Sequence, residues 1–405
     1  MTGALGVGGG RLGVALLGAG RIGTLHGGNL ARLADRFRIA GVADPDANAA
    51  RALADRLGAD VWPSWEELVA SPGVEAVLVC SATAVHADQV AFAAAAGRHV
   101  FCEKPLAEDL TGVETALAAV ETAGVVLQVG FNRRFDPGFA ALARAITAGE
   151  LGRLVQLRIT SRDPEPPPPS YPRGPGGLFT DMTIHDLDLV RFLSGDEAVS
   201  VSAFARSLVD PAAAEAGDVD VAVLVVNLSA GGFAVIENCR RSTYGYDQRA
   251  EAHGSERTAW AGNPLPNQLV VADATGARGA PLYHFFPERY AEAYVAELVA
   301  FAAACRRAAH DSAGADSTRD ELPPVELEAA GERSPLVSAG GRTPLASPRP
   351  PGPATGEDAR AALFLALAAQ RSLESGGTPV LVGGPSEEDR GAAPRGQREG
   401  EGETS

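Results

Sequence analysis

Of the 35 lysine and arginine residues in the chain, one is lysine, Lys104, and every other is arginine. Arginine is a planar fork that stays protonated, whereas lysine is a compact point charge whose pKa can be shifted for chemistry. A lysine kept in so arginine-biased a sequence is there either by chance or because arginine would fail. It lies in Phe101-Cys-Glu-Lys-Pro-Leu106, just beyond an apolar run that reads as a strand, and open α/β sheets bind their ligands at the carboxyl ends of strands. Pro105 restricts Lys104 to an extended or turn backbone. A second pair, Asp181 and His185, is four residues apart in a helix predicted over 181–193, so the two share a face. A carboxylate holding one imidazole nitrogen would leave the other as a general base. Asp186 and Asp188 lie on the same stretch, and spacing leaves the partner of His185 open. Asp181, His185 and Asp188 could also ligate zinc or iron, but no second histidine lies within a helical turn, and no metal is expected.

A third constellation is Gly18-Ala-Gly20-Arg-Ile-Gly23, after the apolar residues 14–17 and opening a helical stretch. Here the first glycine permits a tight turn, the second lets backbone approach a pyrophosphate, and the third lets helix and strand pack closely. The helix N-terminus offers free N–H groups to the phosphates. Asp44 ends the next strand, 21 residues after Gly23, near the ~20-residue offset of an acid that binds the ribose hydroxyls. A carboxylate there repels a 2′-phosphate, so NAD is expected over NADP.

Elements must position these groups. Apolar runs at 13–17, 39–43, 74–80, 99–102 and 125–129 alternate with Ala/Leu-rich helical stretches, which predicts a parallel sheet with helices on both faces. From about residue 151 longer strand candidates follow at 154–161, 199–206, 219–228, 233–241 and 268–272. They predict a second, α+β domain with a large, open, mainly antiparallel sheet. Further helices are expected at 288–309 and 356–375, and a short strand at 379–382. The Pro-rich piece 164–175 reads as a loop.

The chain has 405 residues and a formal charge of −16, which excludes the basic field of a general nucleic-acid binder. Residues 311–355 carry eight prolines, no aromatic residue, and four Arg against seven acids. The tail 383–405 carries three Arg against six acids. Such composition cannot bury enough surface to order itself, so both segments are expected to be disordered, residues 1–11 are expected to be a flexible N-terminus, and part of the acidity belongs to appendages. No apolar stretch approaches the ~20 residues of a membrane span, and residues 1–11 lack signal-peptide character, so a cytoplasmic protein is expected. The four cysteines, Cys80, Cys102, Cys239 and Cys305, show no C-x-x-C spacing. Cys80 and Cys102 read as small core hydrophobes.

Together the motifs resemble the Gfo/Idh/MocA oxidoreductases. They are Gly18-Ala-Gly-Arg-Ile-Gly-Thr-Leu-His26, Glu103-Lys-Pro105, Gln128-Val-Gly-Phe-Asn-Arg-Arg-Phe135 and Gly177-Leu-Phe-Thr-Asp-Met-Thr-Ile-His-Asp-Leu-Asp188. Thr160-Ser-Arg-Asp-Pro164 and Tyr244-Gly-Tyr-Asp-Gln248 are closer to inositol-oxidising members than to the family at large. The resemblance implies a Rossmann NAD-binding domain at 12–130, and a substrate-binding and oligomerisation domain at 131–310 and 356–382, commonly tetrameric. Lys104, Asp181 and His185 would be the catalytic set. Gly18, Gly20, Arg21, Ile22, Gly23, Asp44, Ser81, His86, Glu103 and Lys104 would meet the cofactor. Arg133, Asp163 and Tyr246 would join Lys104, Asp181 and His185 around a polyol. The implied reaction is NAD-dependent oxidation of the axial 2-hydroxyl of myo-inositol to 2-keto-myo-inositol, without metal, nucleic acid or membrane. The alternatives are another inositol isomer or a sugar as substrate, or a non-catalytic dinucleotide-binding regulator.

Overall fold

The computed structural model describes residues 10–168, 176–312 and 352–382. Of the segments expected to be loop or disordered, 1–9, 169–175, 313–351 and 383–405 lie outside the described residues.

The first part runs β1 (Leu12–Leu17), α1 (Arg21–Arg32), β2 (Phe37–Ala43), α2 (Ala47–Leu57), α3 (Trp65–Ala70), β3 (Ala76–Val79), α4 (His86–Ala95), β4 (His99–Cys102), α5 (Leu110–Ala123) and β5 (Leu127–Val129). The five strands are parallel in the order β2-β1-β3-β4-β5. All six residues of β1 are buried, because both faces are covered: Val14 and Leu16 enter one core cluster, Ala15 and Leu17 another. Continuous apolar strands of this kind belong to parallel sheets covered on both sides.

A 3-10 turn at Asn132–Phe135 and α6 (Pro137–Thr147) lead into β6 (Leu154–Arg162). A π-helical turn at Phe179–Thr183 opens α7 (Ile184–Ser194), followed by β7 (Ala198–Arg206), α8 (Pro211–Glu215), β8 (Val221–Leu228), β9 (Phe233–Cys239), β10 (Asp247–Gly254) and β11 (Thr258–Ala261). The chain ends with β12 (Val271–Asp273), β13 (Gly276–Arg278), α9 (Phe286–Arg289), α10 (Ala291–Ser312), α11 (Gly356–Glu374) and β14 (Val380–Leu381). Seven strands form one sheet, β11-β10-β6-β9-β8-β7-β14, in which only the β6 and β9 pair is parallel. This is the large, mainly antiparallel sheet the sequence predicts.

Three expectations need correction. The strand expected at 268–272 is part of a separate two-stranded ribbon of β12 and β13 with exposed residues. The sheet instead takes β10 and β11, whose inward positions are Ala250, Ala252 and Ala261 rather than branched residues, so their period-2 pattern is weak. Helix α10, expected within the second domain, is shared: Ala293 and Tyr294 enter the second domain's core, whereas Leu298, Phe301, Ala302 and Cys305 are buried against the first sheet. Two ends of the segment expected to be disordered, 311–355, are structured: residues 311 and 312 complete α10, and at the other end Ala354 is buried and bridges Val129 and Thr355 caps α11.

That re-entry is anchored by Asp358. Its carboxylate accepts from Arg134 Nη1 at 3.2 Å and Arg191 Nη1 at 2.9 Å, and closes a capping box with Thr355. Burial alone would raise its pKa, but Arg134, the Thr355 backbone N–H and Arg191 outweigh it and hold the carboxyl at about 2. The folded value lies below the unfolded ~3.9, so this contribution to stability is complete above about pH 4 and is lost as pH falls toward 2. Asp358→Ala, which removes one partner from each guanidinium and the α11 cap while leaving Arg134 on Asp188 and Arg191 on Glu197, should cost about 1.5–3 kcal/mol in urea unfolding at pH 7. The difference between variant and wild type should shrink as pH approaches 2.

Candidate active site

Chain reversal at the end of β1 builds the dinucleotide end. Gly18 sits at φ 100°, and a Cβ there would lie 2.4 Å from the Cys80 carbonyl oxygen. A Cβ on Gly23 would lie 2.0 Å from the Gly18 carbonyl oxygen, whereas one on Gly20 would meet nothing within 4 Å. The first and third glycines are therefore required by packing, and the second faces open space, as a cradle for a pyrophosphate demands. Helix α1 has no side-chain cap, so its first N–H groups remain available to an anion. Asp44 accepts from Ala19 N–H at 2.7 Å and from Asp46 N–H at 2.8 Å, which fixes the acid beside the glycine turn. These features fit a dinucleotide. Ile22 packs between the two domains' cores, and the Arg21 guanidinium lies 5.3 Å from the Phe286 ring centroid.

Ends of β3 and β4 form the floor. Ser81 Oγ donates to Gln89 Oε1 at 2.6 Å. The buried His86 ring bridges the Pro105 carbonyl at 2.8 Å and the Ser81 carbonyl at 3.1 Å. Burial lowers its pKa, against the two carbonyl contacts and Glu103, which favour the protonated ring, and the ring is a strut between the two strand ends. Glu103 is buried behind Lys104, whose backbone N–H points to Glu103 Oε2 at 3.2 Å.

Lys104 Nζ donates to the Asp181 backbone carbonyl at 2.9 Å and lies 3.6 Å from Asp181 Oδ1. The other carboxylate oxygen, Oδ2, takes Arg240 Nη2 at 2.8 Å. The expected Asp181–His185 hydrogen bond is therefore not formed. Two cations hold the carboxylate, and a neutral imidazole cannot compete with them. His185 is half-buried, its buried Nδ1 without a hydrogen-bond partner, and Phe131 stands edge-on to the ring at 6.0 Å. Burial pushes its pKa well down, and Lys104 and Arg133 push the same way. His185 is thus neutral at physiological pH, the state a general base needs. Nor do Asp186 and Asp188 serve it. Asp186 accepts from Arg133 Nη1, Ser161 Oγ and Asn238 Nδ2, and Asp188 from Arg134. Asp181, His185 and Asp188 accordingly do not converge on a metal position.

Of the other expected polyol contacts, Arg133 is buried, with Nη1 committed to Asp186 at 2.6 Å and Ser161 at 2.9 Å. Tyr246 packs edge-on to Tyr290 at 6.0 Å. Asp163 lies 3.7 Å from Arg240 Nη1. Burial, opposed by Arg240, lifts its pKa to about 6. Arg133, Asp163 and Tyr246 all fall within one electrostatic neighbourhood.

Arg240 is the residue that sequence reading missed. Buried at the end of β9, it joins Asp181 to Asp163. The signal available was the arginine pair Arg240-Arg241 just before Tyr244-Gly-Tyr246. Arg240→Met should lower turnover by about tenfold or more through misplacement of Asp181. Because Arg240 holds the Asp163 pKa down, its removal should also move an acid limb near pH 6 upward in the kcat/KM profile.

Residues 12–131 match the model of an oxidoreductase family with an NAD-binding Rossmann fold, and residues 139–260 match the Gfo/Idh/MocA C-terminal domain. The chain is 43% identical over 289 residues to a myo-inositol 2-dehydrogenase of Thermotoga maritima, covering 71% of this chain and 86% of the relative. It is 43% identical over 319 residues to an inositol 2-dehydrogenase of Rhizobium meliloti, covering 79% and 95%. The crystal structure of a myo-inositol dehydrogenase from Corynebacterium glutamicum superposes with a TM-score of 0.77 at 33% identity, covering 93% of this chain and all of that one. With both domains matched and the glycine turn, Asp44 and Lys104 on the framework just described, the chain belongs to the Gfo/Idh/MocA family of NAD-binding oxidoreductases.

Proposed function

We propose that the protein oxidises the axial 2-hydroxyl of myo-inositol to 2-keto-myo-inositol with NAD. The observation that carries this reading is the convergence of a neutral His185, the Lys104 ammonium and the Asp181–Arg240 pair at the strand ends, in a chain 43% identical to enzymes named for that reaction. Gly18, Gly20, Gly23, Asp44 and the α1 N-terminus would hold the dinucleotide. When bound, NAD supplies the acceptor for the C2 hydride. His185 takes the hydroxyl proton. Lys104 stabilises the charge that develops on that oxygen, as a fixed cation in a partly buried site can. Asp181 acts on Lys104 rather than on His185, holding the ammonium through its carbonyl and carboxylate while Arg240 holds the carboxylate from the far side. Arg133, Asp163 and Tyr246 would meet the remaining hydroxyls.

A second reading, oxidation of scyllo-inositol, is favoured by one relative, a Bacillus subtilis scyllo-inositol 2-dehydrogenase (NAD(+)), 36% identical over 293 residues. NADH formation measured over a panel of inositols and hexoses, with NAD and NADP, decides between them. The highest kcat/KM should fall on myo-inositol with NAD. A different best polyol would transfer the proposal to that substrate, and NAD binding without any NAD reduction would replace the enzyme with a regulator.

The proposal includes a cytoplasmic homotetramer. Paired Phe204 and Val223, with Phe233 and Leu381, expose apolar surface on one face of the large sheet, which supports association of copies there. Light scattering of the full chain should give four times the chain mass.

A further inference from the structure

Behind the strand-end floor lies a group of side chains for which the reaction has no direct use. His26 from α1, Glu103 after β4 and Glu297 from α10 are all buried, and one ligand-type atom from each lies within 4.8 Å of the others. His26 Nε2 is 2.6 Å from Glu103 Oε1 and 3.9 Å from Glu297 Oε1. Both carboxylate oxygens of Glu297 are without a hydrogen-bond partner, as is His26 Nδ1. Among the described residues no lysine or arginine pairs with either glutamate, since Lys104 extends to Asp181.

The surroundings are apolar. Phe101 and Tyr294 stand edge-on to the His26 ring at 5.1 and 5.7 Å. The remaining titratable neighbours, the Cys80 and Cys102 thiols and the Tyr294 hydroxyl, are held neutral by the same burial. An ionised Glu297 carboxylate would have no protein donor within hydrogen-bonding distance, with His26 Nε2 3.9 Å away, and burial without a partner disfavours the charged form. A metal ion shared by the three is disfavoured by the short contact. Two ligands at ~2.0–2.2 Å from one tetrahedral ion stand well over 3 Å apart, whereas His26 and Glu103 meet at hydrogen-bonding distance.

We infer that Glu297 is kept as a neutral carboxylic acid and that, with His26, it positions Glu103 and thereby the Lys104 backbone. The restraint on Glu103 is closed on its other sides. A Cβ on Gly130 would come within 3.0 Å of the Glu103 carboxyl carbon, and Glu103 Oε2 accepts the Lys104 N–H. Gln128 Nε2 donates to the Glu297 backbone carbonyl at 2.9 Å, tying α10 to β5. The Glu297 carboxyl lies 3.9 Å from the His26 nitrogen that holds Glu103, so it packs against that contact as a positioning residue contributed by a helix far along the chain. A second negative charge at Glu297 would repel Glu103 and move the Lys104 peptide with it. Burial and the Glu103 charge both raise the Glu297 pKa, in keeping with the geometry.

The turnover arm of the test rests on the proposed inositol chemistry, and the spectroscopic arm does not. Infrared spectra of the full-length protein should contain the C=O stretch of a protonated, water-excluded carboxylic acid, absent from E297Q. E297A should lose turnover on the order of tenfold or more, as misplacement of a catalytic group does, at little change in inositol KM. E297Q, neutral and nearly isosteric, should recover most of that loss. An E297Q spectrum identical to wild type overturns the inference, as does E297Q turnover as low as that of E297A. Stoichiometric metal in the purified protein that disappears in H26A overturns it as well. Should E297A fail to fold, the infrared comparison of wild type with E297Q decides. If the band is present but inositol is not oxidised, the proposed reaction fails and the protonated Glu297 stands.

Discussion

Lys104→Arg should lower turnover with myo-inositol by about 10²–10³, with NAD affinity nearly unchanged. The Lys104 ammonium is a point donor that reaches the Asp181 carbonyl at 2.9 Å while staying 3.6 Å from its carboxylate. A guanidinium is longer, planar and unable to concentrate its charge on one atom. It would be driven onto the Asp181 carboxylate, whose Oδ2 is already held by Arg240, and two guanidiniums would crowd one acid. Little of this reaches the dinucleotide end, where Gly18–Gly23 and Asp44 are fixed by backbone contacts of their own. The check is kcat from NADH formation beside a dissociation constant for NAD by fluorescence titration. Unchanged turnover removes Lys104 from the reaction, and a matching loss of NAD binding makes it a cofactor ligand instead.

His185→Ala should cost about 10²–10⁴ in kcat, the usual contribution of a general base. The sign of its pKa shift adds a second expectation. Burial, with Lys104 and Arg133 nearby, keeps the imidazole neutral well below its ordinary range, so lowering the pH from 8 to 6.5 should not protonate it or switch it off. The acid limb of kcat/KM should instead follow Asp163, whose carboxyl titrates at about 6. It should therefore survive in the residual activity of His185→Ala and shift in Arg240→Met. A limb near 6.5 that vanishes with His185 would show that the imidazole is far better solvated than its surroundings indicate.

Much of the fold was legible because the relevant physics is local. Continuous apolar runs such as Val14–Leu17, separated by helical stretches, announce a doubly covered parallel sheet, and Gly18 and Gly23 announce a turn with no room for a Cβ. Strands β10 and β11 were not legible. Their inward side chains are alanines, so the alternation that marks a half-buried strand carries little hydrophobic contrast. Val271 and its neighbours misled in the opposite direction, being apolar yet exposed on a ribbon outside the sheet.

The candidate site divides along the same line. Lys104, Asp181, His185 and Asp44 stand out in the sequence by residue type and by their relation to nearby elements, and the sequence alone places them at strand ends or on one helical stretch. Which group each one touches is a tertiary matter. Asp181 is four residues from His185, yet it binds Lys104 and Arg240, from 77 residues before it and 59 residues after it. Glu297 comes to the His26–Glu103 pair because α10 packs on the first sheet. Spacing along a helix offers a partner, but in a buried site the carboxylate goes to whichever cation the fold brings within reach. The energy of a charge–charge contact depends on distance and burial in three dimensions, and neither can be counted along the chain.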